Sequence, residues 1–65
     1  MDNTTRLILM LDREFDKTVE SIANKKFLMS RTGDFREIAT LASEAAELEE
    51  YLEILFNMAL EILEA

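Results

Sequence analysis

The chain contains no cysteine, histidine or proline, and its 65 residues include a single glycine, Gly33. Without cysteine and histidine there are no disulfides, no thiolate or imidazole metal ligands and no cysteine or histidine nucleophile. The near absence of proline and glycine leaves few points at which a helix must end. The formal net charge of −7 argues against nucleic-acid binding as the main task. We therefore expect no enzyme and no cofactor, but a protein whose function is an interaction surface.

The length allows one domain at most, with a modest core that usually needs a partner, metal or disulfide as a supplement. Apolar residues make up 49%, which is too many for a disordered chain. The longest apolar run near the start covers residues 7–11, shorter than a signal-peptide core or a membrane span. We expect a cytoplasmic protein with no membrane partner.

Residues 30–34 form the only strong break between two segments rich in helix-forming residues. Gly33 is expected to adopt the left-handed conformation that ends a helix. Asp34 is then expected to cap the next helix, with Glu37 completing a capping box. At the start of the chain Asn3 is the expected N-cap, with Asp2 or Thr4 as alternatives.

The sequence predicts helix 1 over about 4–30, a turn over 31–34 and helix 2 over about 35–63, all within one domain covering 1–65. Because a short loop joins two long helices, they must be antiparallel neighbours. The expected fold is an all-α antiparallel two-helix hairpin (helix-turn-helix), completed by a partner or by dimerisation.

Each helix carries apolar residues at helical spacing. In helix 2 they alternate in steps of three and four as a heptad seam: Ile38, Leu41, Ala45, Leu48, Leu52, Leu55, Ala59 and Ile62. In helix 1 the predicted stripe, with Thr18 and Lys26 filling gaps, is Ile8, Leu11, Phe15, Val19, Ile22 and Met29. We expect Leu48 and Leu52 to pack against helix 1 near Phe15 to Ile22.

Helix 2 has more apolar surface than one seam requires. Tyr51, Ile54 and Met58 share a side away from the seam, and a helix that is apolar on several sides is normally buried on more than one. Leu9 and Met10 of helix 1 lie at the same open end as Leu60 and Leu63. We predict a partner-binding surface at Tyr51, Ile54, Met58, Leu9, Met10, Leu60 and Leu63.

The acidic residues do not indicate a catalytic or metal site. Glu44, Glu47 and Glu50 point away from the seam, and no histidine accompanies them as in di-metal helical bundles. Ser30 and Ser43 lack a base that would activate them. Residues 34–65 carry nine acidic side chains and one basic one, which is typical of a solvated face or of a surface that meets a basic partner.

The turn at residues 30–34, followed by a helix with Glu44, Leu48-Glu49, Leu52 and Ile54-Leu55, resembles the YscE/PscE/EscE-type co-chaperones of bacterial type III secretion systems. The resemblance covers about residues 29–56. It implies a cytoplasmic protein that binds a TPR-like helical chaperone and, through it, holds the needle subunit soluble before export. Each protein would cover apolar surface of the other, as capping elements do in helical arrays.

Two other functions fit the same pattern. Two hairpins could pair into a homodimeric four-helix bundle and act as a regulator, as in the plasmid RNA-binding protein Rop. Alternatively, the chain could be an inhibitor that mimics an acidic partner. A homodimer in isolation is also compatible with the co-chaperone role, because the same apolar face on two copies can pack together.

Overall fold

A computed structural model describes residues 2–64 as two long helices. Helix α1 covers Asn3–Arg31 and helix α2 covers Phe35–Glu64, and the two pack against each other along their length. The predicted all-α antiparallel hairpin is therefore confirmed, and positions 1 and 65 of the expected domain lie outside the described residues. The hairpin extends over 49 Å, with a radius of gyration of 15.1 Å. A globular domain of this length would have a radius of gyration of about 11 Å.

The helix 2 seam is confirmed. All eight of its predicted residues are buried or half-buried, and Ala45 and Leu55 are only 4% exposed. The helix 1 stripe is partly wrong, because Val19 is 44% exposed whereas Thr18 is buried. A run of buried and half-buried residues again alternates in steps of three and four and forms the α1 seam: Ile8, Leu11, Phe15, Thr18, Ile22, Lys25 and Met29.

Two polar residues thus occupy seam positions of α1, and the polar end of each has a partner. The Thr18 hydroxyl donates a hydrogen bond to the Glu14 carbonyl oxygen at 2.8 Å, which satisfies it inside its own helix. The seam position that was assigned to Lys26 belongs to Lys25, whose ammonium group pairs with the Glu44 carboxylate. The Lys25 side chain is only 26% exposed, as is typical of a lysine whose aliphatic stem is covered while its charged end reaches a partner at the surface.

The register follows from contacts at both ends of the hairpin. Lys25 pairs with Glu44 near the turn, and Leu11 and Phe15 share a groove with Leu55 at the open end. Counting in opposite directions along the two helices then places Leu48 at the level of Ile22 and Leu52 at the level of Thr18. Leu48 and Leu52 are half-buried in these positions, rather than fully buried.

The turn is built differently from the prediction. No residue in the range 2–64 has a positive φ, so the left-handed conformation expected of Gly33 is wrong. Thr32 ends α1 instead, in an extended conformation with φ −93° and ψ 147°. Its hydroxyl accepts from the Asp34 N–H at 3.2 Å and donates to Glu37 Oε2 at 2.9 Å. Glu37 therefore bonds to Thr32 and does not complete the expected capping box.

Side-chain caps begin both helices. Asp34 accepts from the Arg36 N–H at 2.9 Å, which confirms it as the N-cap of α2. At the start of α1 the cap is Asp2, which accepts from the Thr5 N–H at 2.7 Å. Asn3, the residue predicted for this role, is instead the first residue of the helix.

Neither helix, over the residues that the structure describes, is long and apolar enough to cross a membrane.

Candidate partner-binding surface

The hairpin buries very little of its apolar content. Within residues 2–64, Ile22, Ala45 and Leu55 are the only buried apolar residues, and no large side chain is fully enclosed. Thirteen large apolar side chains are exposed: Leu7, Leu9, Met10, Val19, Phe27, Leu28, Phe35, Tyr51, Ile54, Phe56, Met58, Leu60 and Leu63. Scattered exposure of apolar residues is ordinary, but an excess of exposed over buried residues on this scale makes the surface a candidate interaction site.

An exposed residue beside the seam lies on one or the other side of the hairpin, according to whether it precedes or follows a seam residue in the chain. At about 100° per residue, the residue before a seam position and the residue after it lie on opposite sides of the hairpin. In antiparallel helices the preceding residues of both helices share one face, and the following residues share the other. Two apolar grooves at the open end show this division, since one is walled by Met10 and Met58 and the other by Asp12 and Phe56.

We call the first side the methionine face. Its groove is walled by Leu7 and Met10 of α1 and by Tyr51 and Met58 of α2, with Leu55 at its base. Each wall residue precedes a seam residue, and their exposed fractions lie between 38% for Tyr51 and 63% for Met10. Methionine and tyrosine side chains are well suited to receiving an apolar helix, since methionine adapts its shape and tyrosine offers a rigid ring.

Four residues of the predicted surface therefore lie on the methionine face. Tyr51 and Met58 wall the groove, with Met10 opposite them on α1. Ile54 precedes Leu55 and is 54% exposed on the same side, outside the groove itself. The predicted three-residue cluster of α2 is thus joined by α1, and it flanks the seam instead of lying opposite it. Leu7 belongs to this groove but was missed, although its place directly before Ile8 could have identified it.

The remaining three residues of the predicted surface lie on the other side, which we call the phenylalanine face. Leu9, Leu60 and Leu63 each follow a seam residue and are 40–66% exposed. They share this side with Phe56, which is 56% exposed and lines the second groove with Phe15. The seven predicted residues therefore share the open end of the hairpin but divide between its two faces.

The turn end also exposes large apolar side chains, and none of them was included in the predicted partner-binding surface. Phe35 is 86% exposed in the first turn of α2, and Phe27 is 57% exposed near the end of α1. The Arg31 guanidinium lies 4.9 Å from the centre of the Phe27 ring, in cation–π range. Phe35 has the largest exposed fraction of any large apolar residue in the described chain.

Charge divides the hairpin along its length. We define the open half as residues 2–16 and 50–64, and the turn half as residues 17–49. The open half carries eight acidic and two basic residues, and the turn half carries six acidic and five basic residues. Both ion pairs of the described chain lie in the turn half, the second joining Lys26 Nζ to Glu49 Oε1 at 3.3 Å. The open half thus combines apolar grooves with uncompensated negative charge.

Among the polar groups of residues 2–64, no three acidic residues come close enough to hold a metal ion, and no buried side-chain polar atom lacks a hydrogen-bond partner. The hydrogen bond from the Thr5 N–H to Asp2 lowers the pKa of the Asp2 carboxyl group below its usual value. That shift belongs to a helix cap.

Comparisons of the chain with protein-family models, with curated proteins and with solved structures find no match.

Proposed function

We propose that this chain is a non-enzymatic, cytoplasmic co-chaperone of a type III secretion system. In this role it binds a TPR-like helical chaperone through its methionine face and so helps to keep the needle subunit soluble before export. The observation that carries the proposal is the methionine face itself, an open apolar groove on a hairpin whose described residues, 2–64, form two helices and no third element to cover it. The assignment to secretion comes from the resemblance of the turn and of α2.

The composition of the groove suits a helical partner. Its walls present Leu7, Met10, Tyr51 and Met58 on two antiparallel helices, so an added helix can lie between them with apolar residues at three- and four-residue spacing. Burying two or three such side chains contributes roughly 3–9 kcal/mol to binding. The free-energy cost of association must be subtracted from this amount. The acidic open half favours a partner with basic residues beside its apolar stripe, which raises the association rate and the specificity.

The test is co-expression of this chain with the TPR-like chaperone and the needle subunit of the same secretion system. The Ile54→Asp, Met58→Asp double variant should keep its helical circular dichroism, because both residues are exposed. It should nevertheless fail to co-purify with the chaperone, because two charges would enter the apolar contact.

A matched control adds the same charge elsewhere. Ser43→Asp, Asn57→Asp introduces two carboxylates at exposed polar positions of α2 outside both grooves, and this variant should co-purify like the original chain. Equal retention of both double variants would place the contact away from the methionine face. A complete lack of co-purification by the unchanged chain would reject the co-chaperone role.

A further inference from the structure

The phenylalanine face of α2 carries a second heptad stripe that the hairpin leaves uncovered. From Ala39 onward its residues directly follow seam residues, and Phe35 lies four residues before Ala39, so the stripe alternates in steps of three and four over the whole helix. The stripe begins with Phe35, continues through Ala39, Ala42 and Ala46, and reaches Glu49 at the centre of α2. It then passes through Glu53 and ends with Phe56, Leu60 and Leu63. Every one of these residues is exposed.

The two ends of this stripe differ in size and match each other when one is reversed. Reversing α2 about Glu49 places Ala42 opposite Phe56 and Phe35 opposite Leu63, and it places Ala39 opposite Ala59, next to Leu60. Phe56 of one copy would then lie over Ala42 of the other, and Phe35 would contact Leu63, so that apolar side chains meet at both ends of the stripe. Reversal about this residue also overlaps the two α2 helices over their full length.

We infer that the phenylalanine face binds a second copy of this chain in antiparallel orientation, with the two-fold axis near Glu49. The interface is isologous, so each contact occurs twice. It lies on the opposite side from the methionine face and does not depend on the proposed function.

The charges of α1 support the same occupant and direction. Reversal about Glu49 of α2 corresponds to reversal about Ser21 of α1, given the register of the hairpin. Asp16 of one copy then lies opposite Lys26 of the other. More broadly, the acidic open half of each copy covers the turn half of the other copy, and each turn half holds five of the seven basic residues of its chain. A parallel pair would instead superimpose two open halves, each with eight acidic residues, and like charges disfavour that arrangement. The antiparallel pair brings only the two Glu49 side chains together at the axis, and each of them is paired with Lys26 of its own chain.

The oligomeric state can be measured on the unchanged chain by sedimentation equilibrium, from micromolar to millimolar concentration. We expect a mass of twice 7.5 kDa. Phe56→Asp should raise the dissociation constant of the dimer by at least about a hundredfold, because it alters an aromatic contact that occurs twice. Ala42→Glu should also weaken the dimer, and it should leave the helices intact because Ala42 is exposed and glutamate is a good helix former.

Met58→Asp is the matched control, since it places the same charge two residues away on the methionine face. It should leave the dimer mass unchanged. A monomeric unchanged chain would overturn the inference. So would a dimer that survives Phe56→Asp and Ala42→Glu but dissociates with Met58→Asp, because self-association would then use the methionine face.

The absence of native cysteine allows the orientation to be read by cross-linking. Asp12 and Ser30 both follow seam residues of α1 and are exposed, and the proposed register places Asp12 of one copy opposite Ser30 of the other. When Asp12→Cys and Ser30→Cys chains are mixed and oxidised, disulfides should join the two different variants. Disulfides that join only identical variants would overturn the inference.

Discussion

The turn half and the open half of the hairpin have the same helical backbone but are stabilised by different interactions. In the turn half, two ion pairs link α1 to α2. Hydrogen bonds made by the side chains of Thr32, Asp34 and Glu37 hold the turn that connects the two helices. In the open half the helices are held together by apolar contacts around Leu11 and Leu55. Nine of the thirteen exposed large apolar residues lie in this half. The turn half therefore specifies how the helices pair, and the open half retains the surface that a partner can cover.

The largest expected difference between two matched substitutions involves two leucines of the α2 seam. Leu55 is 4% exposed and lies at the base of both grooves, so Leu55→Ala should cost about 2–5 kcal/mol. Leu48 is only half-buried, and Leu48→Ala should cost about 1–2 kcal/mol because less apolar area returns to water. Urea denaturation at equal protein concentration measures both values. Equal costs would show that the stability of the open half depends no more on its apolar contacts than the stability of the turn half does.

The residues explain how far the sequence could predict this fold. The α2 seam was predictable because its eight apolar residues keep a strict heptad spacing. The α1 seam was not, since Val19 is more apolar than Thr18 and Lys26 is as polar as Lys25. The choice depends on a hydrogen bond from Thr18 to Glu14 and on the Lys25–Glu44 pair across the helices. Neither interaction is visible in hydrophobic spacing.

The candidate surface was predictable in content but not in arrangement. Surplus apolar residues at the open end are evident from the α2 sequence. Their division between two faces depends on the exact position of the α1 seam, which places Met10 beside Met58 and Leu9 on the other side. A shift of one residue in the seam turns every neighbouring side chain by about 100°.

A second prediction concerns the polar stabilisation of the turn half. Asp34→Ala removes the acceptor of the Arg36 N–H and should cost about 1 kcal/mol. Asp34→Asn keeps a side-chain acceptor at the same position and should lose much less. Thermal unfolding followed by circular dichroism compares the two variants with the original chain. Equal losses for both would mean that the negative charge, and not the hydrogen bond, is the stabilising feature.

Gly33 offers a smaller change of the opposite sign. A left-handed glycine would have made Gly33→Val destabilising by about 1–2 kcal/mol, but Gly33 has no positive φ and no atom lies within 4 Å of an added Cβ. Gly33→Ala should therefore stabilise the chain by about 0.4–1 kcal/mol, because it restricts the unfolded state without straining the folded one. Chemical denaturation measures the change, and a loss of stability would indicate that the turn needs the freedom of glycine.

The smallest expected effect is at Asp2, the cap of the open half. The hydrogen bond from Thr5 lowers the pKa of the Asp2 carboxyl group from its usual 3.8 in the folded state, so the charged form stabilises the helix. This contribution is fully present above the pKa of the unfolded chain, and it is lost as the pH falls through the lower pKa of the folded state. The Thr5 amide should consequently exchange faster at the most acidic pH, as measured by nuclear magnetic resonance. Asp2→Asn retains a capping oxygen that does not titrate, so the same amide should lose this step in its pH profile. If the profile is unchanged in Asp2→Asn, the acid sensitivity of the open half arises from its other carboxylates.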